Sequence, residues 1–265
     1  MSISSAMYIG VSGMNSFSKA IGVVSDNIAN ANSTAYKSND VNFGDLVSSY
    51  YRTLSQDTDR EGSGSGVIGI TTDFSTGSMI SDSVWSNLAI NGKGFFNVLT
   101  TTGETLYTRD GSFHIDSTGY LVNLQGSNVL GSDGNAIQVE ADPAVPVYSS
   151  YSVDTTGQVW GTPIVGGNAV AIGEKLRITT FPNQDGLIRK GTNLYSGGPE
   201  TGAAVNGTAG NGICGEILDQ TLEGSNVDIA AEMVSLIIYQ ADYNANSKTI
   251  STSASMMDTA TNLVR

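Results

Sequence analysis

Hydrophobic residues recur every three or four positions near both ends of this chain of 265 residues. Near the amino terminus the apolar positions are Met7, Val11, Met14, Phe17, Ile21, Val24 and Ile28. Near the carboxy terminus they are Ile229, Met233, Leu236, Tyr243, Ile250, Met257 and Val264. Because such steps place residues on one face of a helix, both ends are predicted to be amphipathic helices. The spacing also matches a coiled-coil seam, so we call these fourteen positions the assembly seam.

The first helix is predicted over 5–33, although three glycines interrupt it. Gly10, Gly13 and Gly22 each cost about 1 kcal/mol relative to alanine in a helix. Small residues spaced along a helix also allow a neighbouring helix to approach closely. In the second helix we expect Asn246 to lie off the seam.

Between the two ends the hydrophobic period changes to two. The segments 88–90 and 95–99 flank the turn residues Asn91 and Gly92, a pattern typical of a β-hairpin. Further alternating segments separated by glycine turns predict a mixed antiparallel β body. The polar residues 55–66 end in GSGSG and predict a flexible surface loop.

These patterns predict an α+β fold in which a β-rich body is inserted between terminal amphipathic helices that pair as a coiled coil. We expect 1–35 and 225–265 to form a discontinuous helical core domain. The segments 36–84 and 196–224 are predicted connections, and 85–195 a β-rich outer domain. Because the long apolar stripes need a partner, the pattern favours a subunit that assembles with copies of itself.

Charge and composition exclude several classes of function. The net charge is −13 and the 12 basic residues are scattered, which argues against nucleic-acid binding. Only 14% of residues are charged and 32 are glycine, which suits a surface that packs against other protein. The single cysteine, Cys214, forms no intrachain disulfide. The sequence predicts no cleavable signal at the amino terminus, and no apolar stretch is long enough to predict a membrane span.

Candidate chemistry is sparse. The only histidine, His114, lies in a predicted strand and has no nucleophile motif beside it, which favours an ordinary surface histidine. Residues 57–61 resemble the start of a calcium loop, but Ile68 occupies the position that needs a bidentate carboxylate. The sequence therefore predicts no catalytic residue, no cofactor, no metal site and no small-molecule substrate.

Three regions resemble one known family in the order in which they occur. The first reads NIANANSTAYK at 27–37, and the last reads LEGSNVD at 222–228. The central region reads LAINGKGFF at 88–96 and YTRDGSF at 107–113. These segments are similar to the bacterial flagellar axial proteins, the subunits of the rod and hook. The family usually has glycine where this chain has Ala35.

The resemblance implies a structural subunit that polymerises into a helical tube and transmits motor torque to the filament. The implied partners are copies of the chain, neighbouring flagellar rod, hook or junction proteins, and the flagellar type III export apparatus. The implied location is the bacterial flagellum, from periplasm to exterior, reached without a cleavable signal peptide. The paired terminal helices would line the core of the tube.

The resemblance leaves two possible positions along the flagellar axis, the hook and the rod. GITTDF at 69–74 and NLVR at 262–265 resemble a hook protein. The chain length is that of a distal or proximal rod protein, because hook proteins usually carry an additional outer domain. We therefore expect a short hook or hook-like subunit, with the distal rod as the nearest alternative. The rival class is an extracellular adhesin or secreted enzyme with helical oligomerisation arms.

Overall fold

The computed structural model describes residues 3–47, 62–140 and 147–263. These residues contain two helices, α1 (Ile3–Ala29) and α2 (Ile229–Leu263). Their strands are β1 (Asn39–Val47), β2 (Gly62–Thr72), β3 (Met79–Ser81), β4 (Leu88–Asn91), β5 (Phe95–Leu99), β6 (Thr105–Thr108), β7 (His114–Ile115), β8 (Leu121–Val122), β9 (Asn128–Val129), β10 (Tyr148–Val153), β11 (Val159–Pro163), β12 (Val170–Ile172), β13 (Arg177–Thr180), β14 (Ile188–Gly191), β15 (Leu194–Ser196), β16 (Val205–Thr208), β17 (Glu216–Asp219) and β18 (Thr221–Glu223). The predicted α+β class, a β-rich body between terminal helices, is confirmed.

Local polar groups set the ends of both helices. After α1, the Asn30 side chain donates to the backbone carbonyl of Asp26 at 2.9 Å, which satisfies a carbonyl of the last turn. Before α2, the Asp228 carboxylate accepts from the backbone N–H groups of Ala230 and Ala231 at 2.9 and 3.3 Å. Asp228 is therefore the N-cap of α2, and its negative charge also suits the helix dipole.

The chain divides into two compact units. We call the first the helical unit; it comprises Met1–Ala31, Ser38–Asp73 and Val227–Arg265. The second, the β unit, comprises Asn32–Lys37 and Phe74–Asn226. Of the segments expected to be connections, 196–224 belongs wholly to the β unit, and 36–84 is divided between the two units.

Within the described residues, the β unit is built from antiparallel sheets. A nine-stranded sheet follows the order β14-β15-β6-β5-β9-β8-β7, with β13 also on β5 and β16 on β13. A three-stranded sheet has the order β10-β11-β12, and β17 pairs with β4 and β18 with β3. The main core includes Leu88, Ile90, Phe96, Val98, Leu106, Phe113, Leu121, Val129, Val159, Leu176, Ile178 and Ile217. The alternating segments of the sequence thus bury their apolar sides in this unit.

Two loops of the β unit share one geometry. In each, a glycine donates its backbone N–H to the carbonyl three residues earlier: Gly119 to Asp116 at 3.1 Å, and Gly157 to Asp154 at 2.8 Å. Both glycines have φ of 82°, a left-handed conformation that is strained for other residues. At Gly119 an added Cβ would also collide with the backbone oxygen of Glu140, at 1.7 Å. The short connections therefore require glycine at these positions.

In the helical unit, β1 and β2 form an antiparallel hairpin. Asn39 pairs with Thr72 and Val47 with Gly62, so the glycine- and serine-rich residues 62–66 are strand. The prediction of a flexible loop is therefore wrong for 62–66, while 55–61, including the acidic residues 57–61, lie outside the described residues. Backbone hydrogen bonds to β1 hold this segment, and they do not need a side-chain pattern.

Candidate assembly site

A stripe of small and polar residues forms the buried face of α1. Its members lie three or four residues apart, as on one face of a helix. They are Gly10, Gly13, Ser16, Ala20, Val24 and Asn27. Because most of these side chains are small, the helix axis can lie close to whatever packs against it.

The small residues of α1 face α2 at close range. A Cβ added at Gly10 would lie 2.8 Å from Cγ1 of Ile250, and one added at Gly13 would lie 2.7 Å from Oδ1 of Asn246. Gly22 has nothing within 4 Å of such an atom. The expectation that Asn246 lies off the helix contact is therefore wrong. Its side chain fills the space that Gly13 leaves, and a polar residue at such a position fixes helix register.

An aromatic cluster joins the two helices to the hairpin within the helical unit. The ring of Phe17 on α1 lies 5.5 Å from Phe43 on β1 and 6.1 Å from Tyr239 on α2. Phe43 and Tyr239 meet edge to face at 5.9 Å. Ser16 donates to the backbone carbonyl of Ser65 on β2 at 2.9 Å. The hairpin is therefore packed onto the helix pair.

A polar contact holds the end of α1. The Asn27 amide donates to Oε1 of Glu232 at 2.8 Å and to the carbonyl of Asn39 at 2.9 Å. Desolvation raises the pKa of the Glu232 carboxyl, and the charges of Asp40 and Asp228 raise it further, against the bond from Asn27. This contact therefore positions α1, β1 and α2, and it places several negative charges close together.

The outer face of α2 changes character along its length. Its first half exposes large apolar side chains to solvent. These are Ile229, Met233, Val234, Ile237 and Ile238, each between 44% and 65% exposed. The corresponding face of the second half is more polar, with Asn244, Ser247, Lys248, Ser251, Thr252 and Ser255 exposed, although Met256 and Leu263 are 59% and 82% exposed there. We call the five apolar residues the outer α2 patch; such a contiguous exposed patch marks an interaction surface.

The predicted assembly seam spreads over several environments. Val24 is buried, and Met7, Met14, Phe17, Ile21, Ile28, Leu236, Tyr243 and Ile250 are half-buried. Val11, Ile229, Met233 and Met257 are exposed, and Val264 lies outside the described residues. The closest helix contacts include Gly10 and Gly13, which the apolar pattern does not select. The recurrence of small residues every three or four positions is the signal that could have identified them.

The residues considered for chemistry in the sequence lie apart from these surfaces or form no cluster among the described residues. His114 is exposed at the start of β7, opposite Val122. Within the described ranges, no three histidine, cysteine or acidic side chains come together to hold a metal ion. Neither described helix has both the length and the apolar character needed to cross a membrane.

Three protein-family models match the chain in sequence order. Residues 7–37 match the flagella basal body rod protein family. Residues 89–161 match the D1 domain of flagellar hook protein FlgE/F/G, and residues 218–263 match the carboxy-terminal region of flagellar basal body rod FlgEFG proteins. The three matched regions follow the order of α1, the β-rich body and α2, and their descriptions are those of structural subunits of the flagellar axis.

Full-length relatives show the family. The flagellar basal-body rod protein FlgG of Bacillus subtilis is 34% identical over 98% of this chain and 99% of its own length. FlgG of Borreliella burgdorferi is 32% identical over 98% of both chains. The chain belongs to the flagellar axial family of rod and hook proteins, and it is a structural component of the flagellum. This family is not an enzyme family.

The relatives favour the rod over the hook. The flagellar hook protein FlgE of Salmonella typhimurium is 22% identical in an alignment of 405 positions that covers 96% of this chain. The alignment with the Bacillus rod protein needs only 271 positions for this chain of 265 residues. The expected preference for a hook subunit, which came from two short segments, therefore gives way to the rod.

Proposed function

We propose that the chain is a subunit of the flagellar rod, in its distal part, and that it polymerises into a helical tube which transmits torque without catalysis. The proposal rests on the similarity to FlgG proteins over nearly the whole chain. Its neighbours would be further copies and adjacent rod, hook or junction proteins. Export through the flagellar type III apparatus belongs to the same proposal.

The outer α2 patch is the observation that supports polymerisation most directly. It is formed mainly by β-branched and thioether side chains, and its exposure leaves apolar surface in water. A contact between this patch and a different surface of the next copy would be heterologous. Heterologous contacts that do not close a ring generate open helical assemblies. The hairpin adds exposed Ile68 and Ile70, which are 71% and 54% exposed, to the apolar surface of the helical unit.

A charge placed in the outer α2 patch tests this proposal. Ile237 is 65% exposed, so Ile237→Asp should leave the monomer folded. In an assembly that covers the patch, the carboxylate would lose its hydration without a partner. We expect the concentration needed for polymerisation of the purified protein to rise at least about tenfold, equivalent to about 1.4 kcal/mol. Electron microscopy and sedimentation measure this concentration.

Asn244→Asp is the matched control, because Asn244 is exposed seven residues later on the same helix face. It should polymerise nearly as wild type, and circular dichroism should show equal helix content in both variants. Equal polymerisation of Ile237→Asp and wild type would refute the use of this patch in assembly. Membership of the axial family argues against the adhesin or secreted-enzyme alternative.

A further inference from the structure

Three charged side chains are buried together in the β unit. Lys37, Arg109 and Glu223 are at most 2% exposed. Lys37 Nζ donates to Oε1 of Glu223 at 2.6 Å, and Nη1 of Arg109 lies 3.5 Å from Oε2 of the same carboxylate. Both buried cations therefore contact the same carboxylate. Burial of this kind is tolerated only where charges are paired and hydrogen-bonded.

The Glu223 carboxylate and the Lys37 ammonium group also bind the backbone of residues 75–77. Lys37 donates to the carbonyl of Ser75 at 2.6 Å, and the N–H of Gly77 donates to Oε1 of Glu223 at 3.0 Å. Arg109 ties the group to the turn between β4 and β5, since Nη2 donates to the carbonyl of Gly92 at 2.8 Å. Three segments far apart in sequence are thus held at one buried point.

Each of these segments adjoins a place where the chain passes from one unit to the other. The chain enters the β unit at Asn32, leaves it after Lys37, returns at Phe74 and leaves again after Asn226, so it passes between the units four times. Lys37 is the last residue before the second passage. Ser75 and Gly77 closely follow the third, and Glu223 precedes the fourth by three residues. The buried charges therefore lie beside three of the four connections.

Further contacts seat the short inserted segment 32–37 on the β unit. The backbone N–H of Ala35 donates to the carbonyl of Glu223 at 2.8 Å. The Asn193 amide donates to the carbonyl of Thr34 at 2.6 Å, and the Arg189 guanidinium lies 5.3 Å from the centre of the Tyr36 ring. Ala35 itself has φ of 53°, the left-handed conformation that glycine adopts most readily.

We infer that Lys37, Arg109 and Glu223 form a charged clamp that fixes, at one buried point of the β unit, the positions of three of the four connections to the helical unit. The clamp holds the inserted segment through Lys37, the segment after β2 through the backbone of 75–77, and the end of β18 through Glu223. This role concerns the single chain, so it does not depend on polymerisation or on the position along the flagellar axis.

The charge balance of the clamp gives a test by paired substitutions. Glu223→Gln keeps the shape but removes the negative charge that the two buried cations share, and should lower the melting temperature of the β unit by about 10 °C. Lys37→Met leaves Glu223 paired with Arg109, and should lower it by about 5 °C. Adding Lys37→Met to Glu223→Gln should raise the melting temperature above that of Glu223→Gln alone. Tryptophan fluorescence reports this transition, because Trp85 and Trp160 both lie in the β unit.

If the two substitutions removed only packing contacts, their losses of stability would add. A double variant less stable than Glu223→Gln would therefore overturn the clamp. The control is Lys190→Met, which removes an exposed pair with Glu104 at 3.6 Å. Because exposed pairs contribute little, its melting temperature should change by less than about 3 °C.

Hydrogen exchange of the full chain separates an anchoring role from general stability. In Lys37→Met, well below its melting temperature, amides of 32–37 and 75–77 should exchange at least about tenfold faster than in wild type. Those of the central strand β5 should remain as protected as in wild type, because local opening does not require global unfolding. Uniformly faster exchange across the β unit, or no change at 32–37, would refute the inference.

Discussion

The two units of this chain bury their hydrophobic residues very differently. Among the described residues, Ala20 and Val24 are the only buried hydrophobic side chains of the helical unit, whereas the β unit buries aromatic and branched residues from most of its strands. The helical unit instead leaves large apolar side chains such as Ile68 and Ile237 in solvent. Apolar burial is the main favourable contribution to folding. We therefore expect the β unit to be stable alone, and we expect the helical unit to gain stability when it binds partners.

The closest contacts also differ in kind. In the β unit, Phe96 is fully buried and meets Phe113 edge to face at 5.2 Å. In the helical unit, Gly10 and Gly13 face side chains of α2, so the helices meet across small residues. Small residues allow close approach but bury little apolar area. This difference suits a subunit whose helices complete their packing with neighbouring copies.

The largest expected effect tests whether the β unit carries most of the monomer's stability. Phe96→Ala removes a fully buried ring and should destabilise the β unit by about 3–5 kcal/mol. Urea titration followed by tryptophan fluorescence measures this change. Phe17→Ala, at a half-buried position on α1, should hardly alter the fluorescence transition. In dilute wild-type protein, the helical signal at 222 nm should be lost at lower urea than the fluorescence signal.

A single transition, with the two signals coincident in wild-type protein, would contradict this comparison, since it would mean that both units unfold together. An equal decrease of the urea midpoint measured by fluorescence in Phe96→Ala and Phe17→Ala would contradict this comparison as well.

The next expected effect concerns the close approach of the helices. Gly10→Val adds atoms where a Cβ would already lie 2.8 Å from Ile250, and overpacking of this kind costs about 1–3 kcal/mol. Gly22→Ala, on the same helix with open space around it, should stabilise the helical unit by up to about 1 kcal/mol. Urea titration at 222 nm measures both. If the two substitutions shift the midpoint in the same direction, the assigned helix contact is wrong.

Periodicity in the sequence was enough to predict the architecture. The steps of three and four predicted both helices, and alternation on either side of Asn91 and Gly92 predicted strands β4 and β5. The predicted hairpin is wrong, because β4 pairs with β17 and β5 pairs with β6 and β9. Periodicity did not predict β2, because the glycines and serines of 62–66 do not alternate between apolar and polar residues. Backbone hydrogen bonds alone place them in a strand. Signals of this local kind describe single elements well.

Contacts between distant residues could not be predicted in the same way. Asn246 looks like an ordinary exposed helix residue until Gly13, more than two hundred positions earlier, is placed opposite it. Lys37 and Glu223 stand 186 positions apart, and nothing near either residue indicates its partner. The left-handed conformation of Ala35 was indicated only by the glycine that the family usually has there. Such pairings depend on tertiary structure, which a single sequence does not display.

The smallest expected effect is a difference in the response of the two units to acid. Glu232 in the helical unit has a pKa raised above its ordinary value of 4.5 by desolvation and by Asp40 and Asp228. The folded state therefore binds this proton more tightly than the unfolded chain, so the helical unit should gain stability as the pH falls from 7 towards about 4.5. Glu232→Gln keeps an acceptor for Asn27 and should be more stable than wild type at pH 7, with a weaker response to pH.

The β unit should respond in the opposite sense and at lower pH. Hydrogen bonds from Ser83, Thr118 and Asn135 lower the pKa of Asp82, Asp116 and Asp133 below the ordinary value of 3.8. Their stabilisation is present above 3.8 and is lost as the pH falls through the lowered pKa values. Urea midpoints at 222 nm and by fluorescence, measured from pH 7 to 3, follow the two units separately. Asp258→Asn, at an exposed carboxylate of α2, is the control for Glu232→Gln. A helical-unit midpoint that falls between pH 7 and 5 in wild type, and equally in Glu232→Gln, would show that Glu232 does not control this response.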